Sequence, residues 1–347
     1  MEYHNMADCL NHNCVFNFVT GNRSTGKSFA HKRHALNMYR QKGGKFIYLR
    51  RTEKVLDESC PTFFDDIQVK FPGMWGMQYK AGKFQLTRDK TVEKPDWEDC
   101  GYAFSISGLH NVKSTVLRGV KTIFFDEFLP DDLRYSHPAD IFYEPRALLN
   151  IYMTVARDIG KVIDDDVRVY CVSNLVSKFN PYFTYFGIDL TGRTRYVDQK
   201  RSIYARIDFN DGIAQEIRNS KAGAFISSTD YGEYALENKA LKDSIRHVLP
   251  RVGNPLPIFS VWCNGEWYTV CSDNEPRVII RRMFDPSLPR RYRLGSGGDE
   301  SIPWMDKQTT DWIKRAYRGD IVYYDCEKTK NMFGGPFEIW VDKPLRS

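Results

Sequence analysis

Eight consecutive residues, Gly21, Asn22, Arg23, Ser24, Thr25, Gly26, Lys27 and Ser28, have the spacing GxxxxGK[ST]. The glycines let the backbone curl so that several N–H groups face one phosphate. Lys27 then reaches the β- and γ-oxygens, and the Ser28 hydroxyl ligates Mg²⁺. The loop joins a strand-like run, Cys14-Val-Phe-Asn-Phe-Val-Thr20, to a helix-like run from Phe29 to Arg40. A chance match would rarely fall between a buried strand and a helix, so the context predicts a purine triphosphate here.

An acidic pair sets the kind of reaction. The run Val120-Lys-Thr-Ile-Phe-Phe-Asp-Glu-Phe128 is an apolar strand that delivers Asp126 and Glu127 at its carboxyl end, where a parallel sheet binds ligands. Asp126 suits the water shell of Mg²⁺, and Glu127, pointing off the other face, suits an attacking water. Asp followed directly by Glu favours hydrolysis. A GTPase would add an Asn-Lys-x-Asp base reader, which the chain lacks, and a small-molecule kinase would not need the glutamate.

These residues need elements to hold them. Strand-like runs at Val15–Thr20, Lys45–Arg50, Thr122–Phe125 and Val167–Ser173, with helix-compatible segments between some of them, predict an α/β fold with a parallel, helix-covered sheet. Met77 to Thr87 alternates around a glycine turn and reads as an inserted hairpin. Leu148 to Ala156 has helical spacing. After about Val197 the chain becomes short, polar pieces, and from about Asp230 strands at Ile258–Cys263, Glu266–Cys271 and Arg277–Met283, then a helix at Asp306–Arg318, predict an α+β domain. The expected division is 1–200, a connecting segment 201–229, and 230–347.

The 347 residues are 42% hydrophobic and 14% aromatic, which excludes a disordered chain. A net charge of +6 suits an anionic partner at a local patch rather than a polycation. Eight cysteines show no CxxC pair or zinc spacing and read as reduced thiols. With no signal peptide and no apolar stretch near the roughly 18 residues that span a bilayer, a soluble, intracellular protein with no membrane partner is expected.

Several basic or polar residues admit two readings. Arg23 sits inside the loop, where it faces either the γ-phosphate, a neighbouring subunit's site, or solvent. Asn174 ends the strand Val167–Ser173 as either a γ-phosphate reporter or a turn cap. Arg157 follows the Leu148–Ala156 helix as either a trans-acting arginine or a partner of the helix dipole. Lys113 shares that ambiguity. Arg277, Arg281, Arg282, Arg290, Arg291 and Arg293 cluster in the second half, either against a phosphate backbone or an acidic surface, or as a solvated face.

Together the stretches Asn17–Ser28, Lys45-Phe-Ile-Tyr-Leu-Arg-Arg51, Thr122–Phe128 and Val172-Ser-Asn through Asn180-Pro-Tyr-Phe183 resemble the genome-packaging ATPases, or DNA encapsidation proteins, of small Picovirinae-type podophages, relatives of large terminases. Arg23 inside the loop and the Phe-Ile-Tyr-Leu-Arg-Arg strand sharpen the match, which continues weakly into the C-terminal half. The resemblance implies an ASCE-type P-loop ATPase domain, a short linker domain and an RNase H-like C-terminal domain. It implies ATP and Mg²⁺ as cofactors, and a homomeric ring, a pentamer in that picture, at the portal (connector) vertex of a procapsid in the host cytoplasm. Lys27, Ser28, Asp126 and Glu127 keep the roles above, Arg157 and Lys113 act across the interface, and Asn174 is the strand-end sensor. Double-stranded DNA would be gripped by its phosphates, hence blind to sequence. The family's structural packaging RNA is a further partner on which the sequence is silent. Larger terminases carry a metal-dependent nuclease whose first strand holds an acid. Here that strand reads Phe259-Ser-Val-Trp-Cys263, so the domain is expected to be a vestigial nuclease. A helicase or helicase loader is the alternative reading, and a non-hydrolysing adaptor the third.

Overall fold

A strand that is apolar on both faces must be covered on both faces and paired on both edges, and the runs singled out above satisfy one another. The computed structural model describes residues 4–70, 75–108, 117–130, 142–157, 163–229, 232, 247–249, 251–263, 265–273, 275–294 and 299–334. Strands β1 (Phe16–Gly21), β2 (Lys45–Arg50), β3 (Gly76–Lys80), β4 (Lys83–Thr87), β5 (Glu98–Ser105), β6 (Val120–Asp126), β7 (Arg168–Asn174), β8 (Arg195–Asp198) and β9 (Ile203–Asp208) form one nine-stranded sheet in the order β3-β4-β5-β2-β6-β7-β1-β9-β8. The contiguous set β5-β2-β6-β7-β1-β9 is parallel throughout. Every residue of β1 is buried, as are Ile123, Phe124 and Phe125 of β6. Strand β7 lies between the phosphate-loop strand β1 and the acidic strand β6, which is the ASCE order.

One expectation holds and another changes. The hairpin β3–β4 turns through Ala81 and Gly82, both left-handed (φ 50° and 77°), as a two-residue turn demands. The expected hairpin is present, and it joins the main sheet, because β4 pairs with β5 and carries Phe84 into a ring cluster with Phe63 (4.4 Å) and Phe46 (5.2 Å). The expected connecting segment at 201–229 begins too early. Ile203–Asp208 is β9, buried along most of its length and paired with β1 across its whole register, so the first sheet continues past residue 200. Without β9 the phosphate-loop strand would have an open edge. The polar pieces then follow as helices Asp211–Asn219 and Gly223–Ser227.

The chain divides into two discontinuous compact units. The first comprises Met1–Leu129, Pro145–Leu175 and Ile188–Lys239, and the second the intervening segments and the C-terminal part. The second holds a five-stranded mixed sheet from β10 (Leu256–Cys263), β11 (Glu266–Ser272), β12 (Val278–Arg281), β13 (Arg291–Leu294) and β14 (Val322–Tyr324), in the order β13-β10-β11-β12-β14. Helix Lys307–Arg318 is capped by Asp306, which accepts the Thr309 N–H at 2.8 Å. Its Ile313 joins Phe259, Val261, Tyr268 and Val270 in the core. Segment 176–187 belongs to this unit: Asn331 donates to Ser177 at 3.2 Å and Thr184 to the Met332 sulfur at 3.4 Å. All eight cysteines are free, seven of them buried. Among the described residues no helix is long and apolar enough to cross a membrane.

Candidate active site

The loop owes its shape to two glycines. Gly21 ends β1 so close to β9 that a Cβ there would lie 1.8 Å from the Asp208 carbonyl oxygen. Gly26, with φ 80°, turns the chain into the helix Lys27–Lys42, whose first turn carries Lys27 and Ser28. Lys27 is only 6% exposed. Its ammonium donates to the Asn22 carbonyl and to Thr25 Oγ1 (3.0 Å). Burial pushes its pKa down to about 8, with Asp208 and Asp126 partly opposing the shift.

Strand β6 brings its acids to the same place. Ser28 Oγ donates to Asp126 Oδ1 at 2.7 Å, so two hard oxygen ligands already adjoin. Glu127 has φ 56°, a backbone that glutamate rarely adopts and that strained functional positions often show. Its side chain is 61% exposed, in contrast to the 9% of Asp126. These residues line a cleft of about 270 Å³ with Ser24, Thr25, Gly26 and Asn174. Asn174 reaches it because its register partner on β1 is Gly21.

Two partners of this site escape a reading by motif. Arg50, at the end of β2, donates through Nη2 to Glu127 Oε2 at 2.6 Å and contacts Asp126 Oδ2 through Nη1 at 3.1 Å. Tyr48 OH donates to Asp126 Oδ2 at 3.2 Å. Burial works against the Arg50 charge, but Tyr48, Asp126 and Glu127 together raise its pKa above the ordinary value. The available signal was a charged residue closing the apolar run Phe46-Ile-Tyr-Leu49; that β2 lies beside β6 is visible only in the sheet order.

Other expected residues lie elsewhere. Arg23 is an exposed residue of the loop. Arg157 is exposed and does not line the cleft. It follows helix Tyr143–Val155, beside Ala156, whose carbonyl takes the Asp164 N–H at 2.6 Å. Asp164 pairs with Lys121 at the start of β6, so Arg157 stands toward the opposite end of the strands from the loop. Lys113 lies outside the described residues. In the arginine cluster, Arg277 pairs with Asp273 and Glu275, Arg282 with Glu266, and Arg293 covers the Trp304 ring at 4.7 Å.

Fold and cleft define a P-loop nucleotide-binding α/β protein with one strand between its phosphate loop and its acidic strand. Residues 1–300 match the model of the podovirus DNA encapsidation protein (Gp16) family, and the chain belongs to that family. It is 32% identical over 286 residues to the DNA packaging protein of Bacillus phage B103, covering 82% of this chain and 83% of that protein. Identity to the DNA packaging protein of Bacillus phage phi29 is 31% over 297 residues, 84% and 82% of the two chains. It is similar, with a TM-score of 0.69 and 27% identity, to a chain of the solved bacteriophage Phi-29 viral genome packaging motor assembly, covering 98% of this chain and 99% of that one.

Proposed function

We propose that this chain is the ATP-hydrolysing subunit of a motor that drives double-stranded DNA through the portal into a preformed procapsid. The observation that carries the reading is the meeting of Lys27, Ser28, Asp126 and Glu127 at one cleft in a chain of the DNA encapsidation family.

The loop amides and Lys27 bind the triphosphate and hold its β- and γ-oxygens. Ser28 and Asp126 are the oxygen donors that would hold Mg²⁺, which supplies charge neutralisation on the phosphates. Glu127 orients an attacking water and accepts its proton. In the present geometry that carboxylate accepts from Arg50, so hydrolysis requires Glu127 to exchange the guanidinium for water. Its left-handed backbone favours such a change of position. Asn174 senses the γ-phosphate end of the cleft. Arg157, remote from its own cleft, and Lys113 complete a neighbour's site, which makes the working form a ring, five-membered by family resemblance. The second unit serves docking rather than cleavage, since β10 carries no carboxylate. DNA, the portal and, by family resemblance, a structural RNA are its partners at the procapsid vertex in the host cytoplasm.

The test is ATP turnover by wild type, Lys27→Ala and Glu127→Gln with DNA and procapsids present. Each variant is expected to lose about 100-fold or more in kcat, and Glu127→Gln retains nucleotide binding. Wild-type turnover by either variant would contradict the assignment.

A further inference from the structure

Beneath the phosphate loop lies a second polar set that hydrolysis does not use. His4 comes from the segment ahead of the first helix, Ala7–His12. Its backbone N–H donates to the Thr25 carbonyl at 2.8 Å. Its ring Nδ1 lies 2.6 Å from Asp208 Oδ2, and the two side chains are 2% and 11% exposed. Asp208 ends β9 as the register partner of Gly21. The Asp208 carbonyl accepts the Asn22 N–H at 3.3 Å, and its other carboxylate oxygen contacts Arg206 at 3.1 Å. The His4 ring stacks on His31 at 5.3 Å and 14°, and His31 Nδ1 donates to the Lys27 carbonyl at 2.8 Å.

The loop is thus held at Thr25 and Asn22 by the backbones of His4 and Asp208, whose side chains join across 204 residues of chain, and at Lys27 by His31 of the same helix. Burial alone would raise the Asp208 pKa, but its bond to His4 and the charges of Arg206 and Lys27 hold it below the usual carboxylate value. A buried carboxylate this near the loop also supplies a counter-charge to Lys27. A phosphate cradle binds well only if its amides already converge before the ligand arrives, because ordering them on binding weakens affinity.

We propose that His4 and Asp208 form a buried strut that holds the phosphate loop in its nucleotide-receiving shape, making both positioning residues for ATP binding. The proposal rests on the reading of this loop as the ATP site. Truncating His4 removes a charge-assisted hydrogen bond and leaves Asp208 with Arg206 alone.

The experiment is calorimetric titration of the full chain with Mg²⁺ and a slowly hydrolysed ATP analogue, paired with ATP turnover in the presence of DNA and procapsids for kcat. It compares wild type, His4→Ala, His4→Gln, Asp208→Asn and Lys27→Ala, each checked for folding by circular dichroism. His4→Ala and Asp208→Asn are expected to bind about tenfold or more weakly, with kcat at saturating ATP within about threefold of wild type. His4→Gln, which keeps a donor toward Asp208, restores affinity to within about threefold. A folded His4→Ala that binds as wild type does, or that loses kcat with affinity unchanged, overturns the strut. Should Asp208→Asn fail to fold, His4→Ala decides alone, because residue 4 precedes every helix and strand. Absence of binding by wild type, or binding by Lys27→Ala equal to wild type, would instead refute the ATP site itself.

Discussion

Lys27 must carry a charge that its surroundings disfavour. Burial brings its pKa to about 8, so the ammonium is fully present below pH 7 and is lost as the pH rises through 8. Phosphate oxygens bind the charged form, hence affinity for the ATP analogue should be flat below pH 7 and about tenfold weaker at pH 9. Calorimetry across that range checks it, and an affinity flat to pH 9.5 would contradict it. Lys27, Ser28, Asp126 and Glu127 were legible in the sequence because one local spacing and one apolar strand with acids at its end carry their chemistry. Arg50 was not, since its contact with both acids depends on which strands lie side by side. The same holds for His4 and Asp208.

Strand β9 shows what a local reading loses at the scale of elements. Tyr204, Ala205 and Ile207 are buried, but the run sits between charged turns and lacks a long apolar block, so composition alone places it in a connector. Strand β5 is missed for a similar reason, as Glu98 and Asp99 open it with charge and its burial is interrupted along its length. The four parallel strands found by pattern are buried along nearly all their length. The β1–β9 contact makes a prediction at Gly21. Gly21→Ala drives a Cβ into the Asp208 carbonyl and should cost about 3 kcal/mol or more in chemical denaturation. Gly82→Ala, whose Cβ meets nothing within 4 Å, bears only the left-handed backbone penalty of about 1 kcal/mol. Equal costs at the two positions would remove the close approach of β9 from the account.

At the scale of the whole molecule, family membership extends over residues 1–300, while the chemistry occupies the carboxyl ends of a few strands. Such a division fits a machine whose sheet fires and whose remaining surfaces hold DNA, portal and neighbouring copies. Arg157 carries that distinction within the first unit, since it lies away from its own cleft. In the second unit, Arg277 and Arg282 are already engaged by Asp273, Glu275 and Glu266. The basic patch offered to an anionic partner is therefore smaller than the six arginines suggest. Packaging is measured by incubating procapsids, double-stranded DNA, ATP and the protein, then quantifying DNA that survives nuclease. Protected DNA with wild type and none with Lys27→Ala or Glu127→Gln is the predicted result. ATP turnover by wild type without protected DNA, in procapsids shown to be competent, would contradict it and favour a helicase or loader.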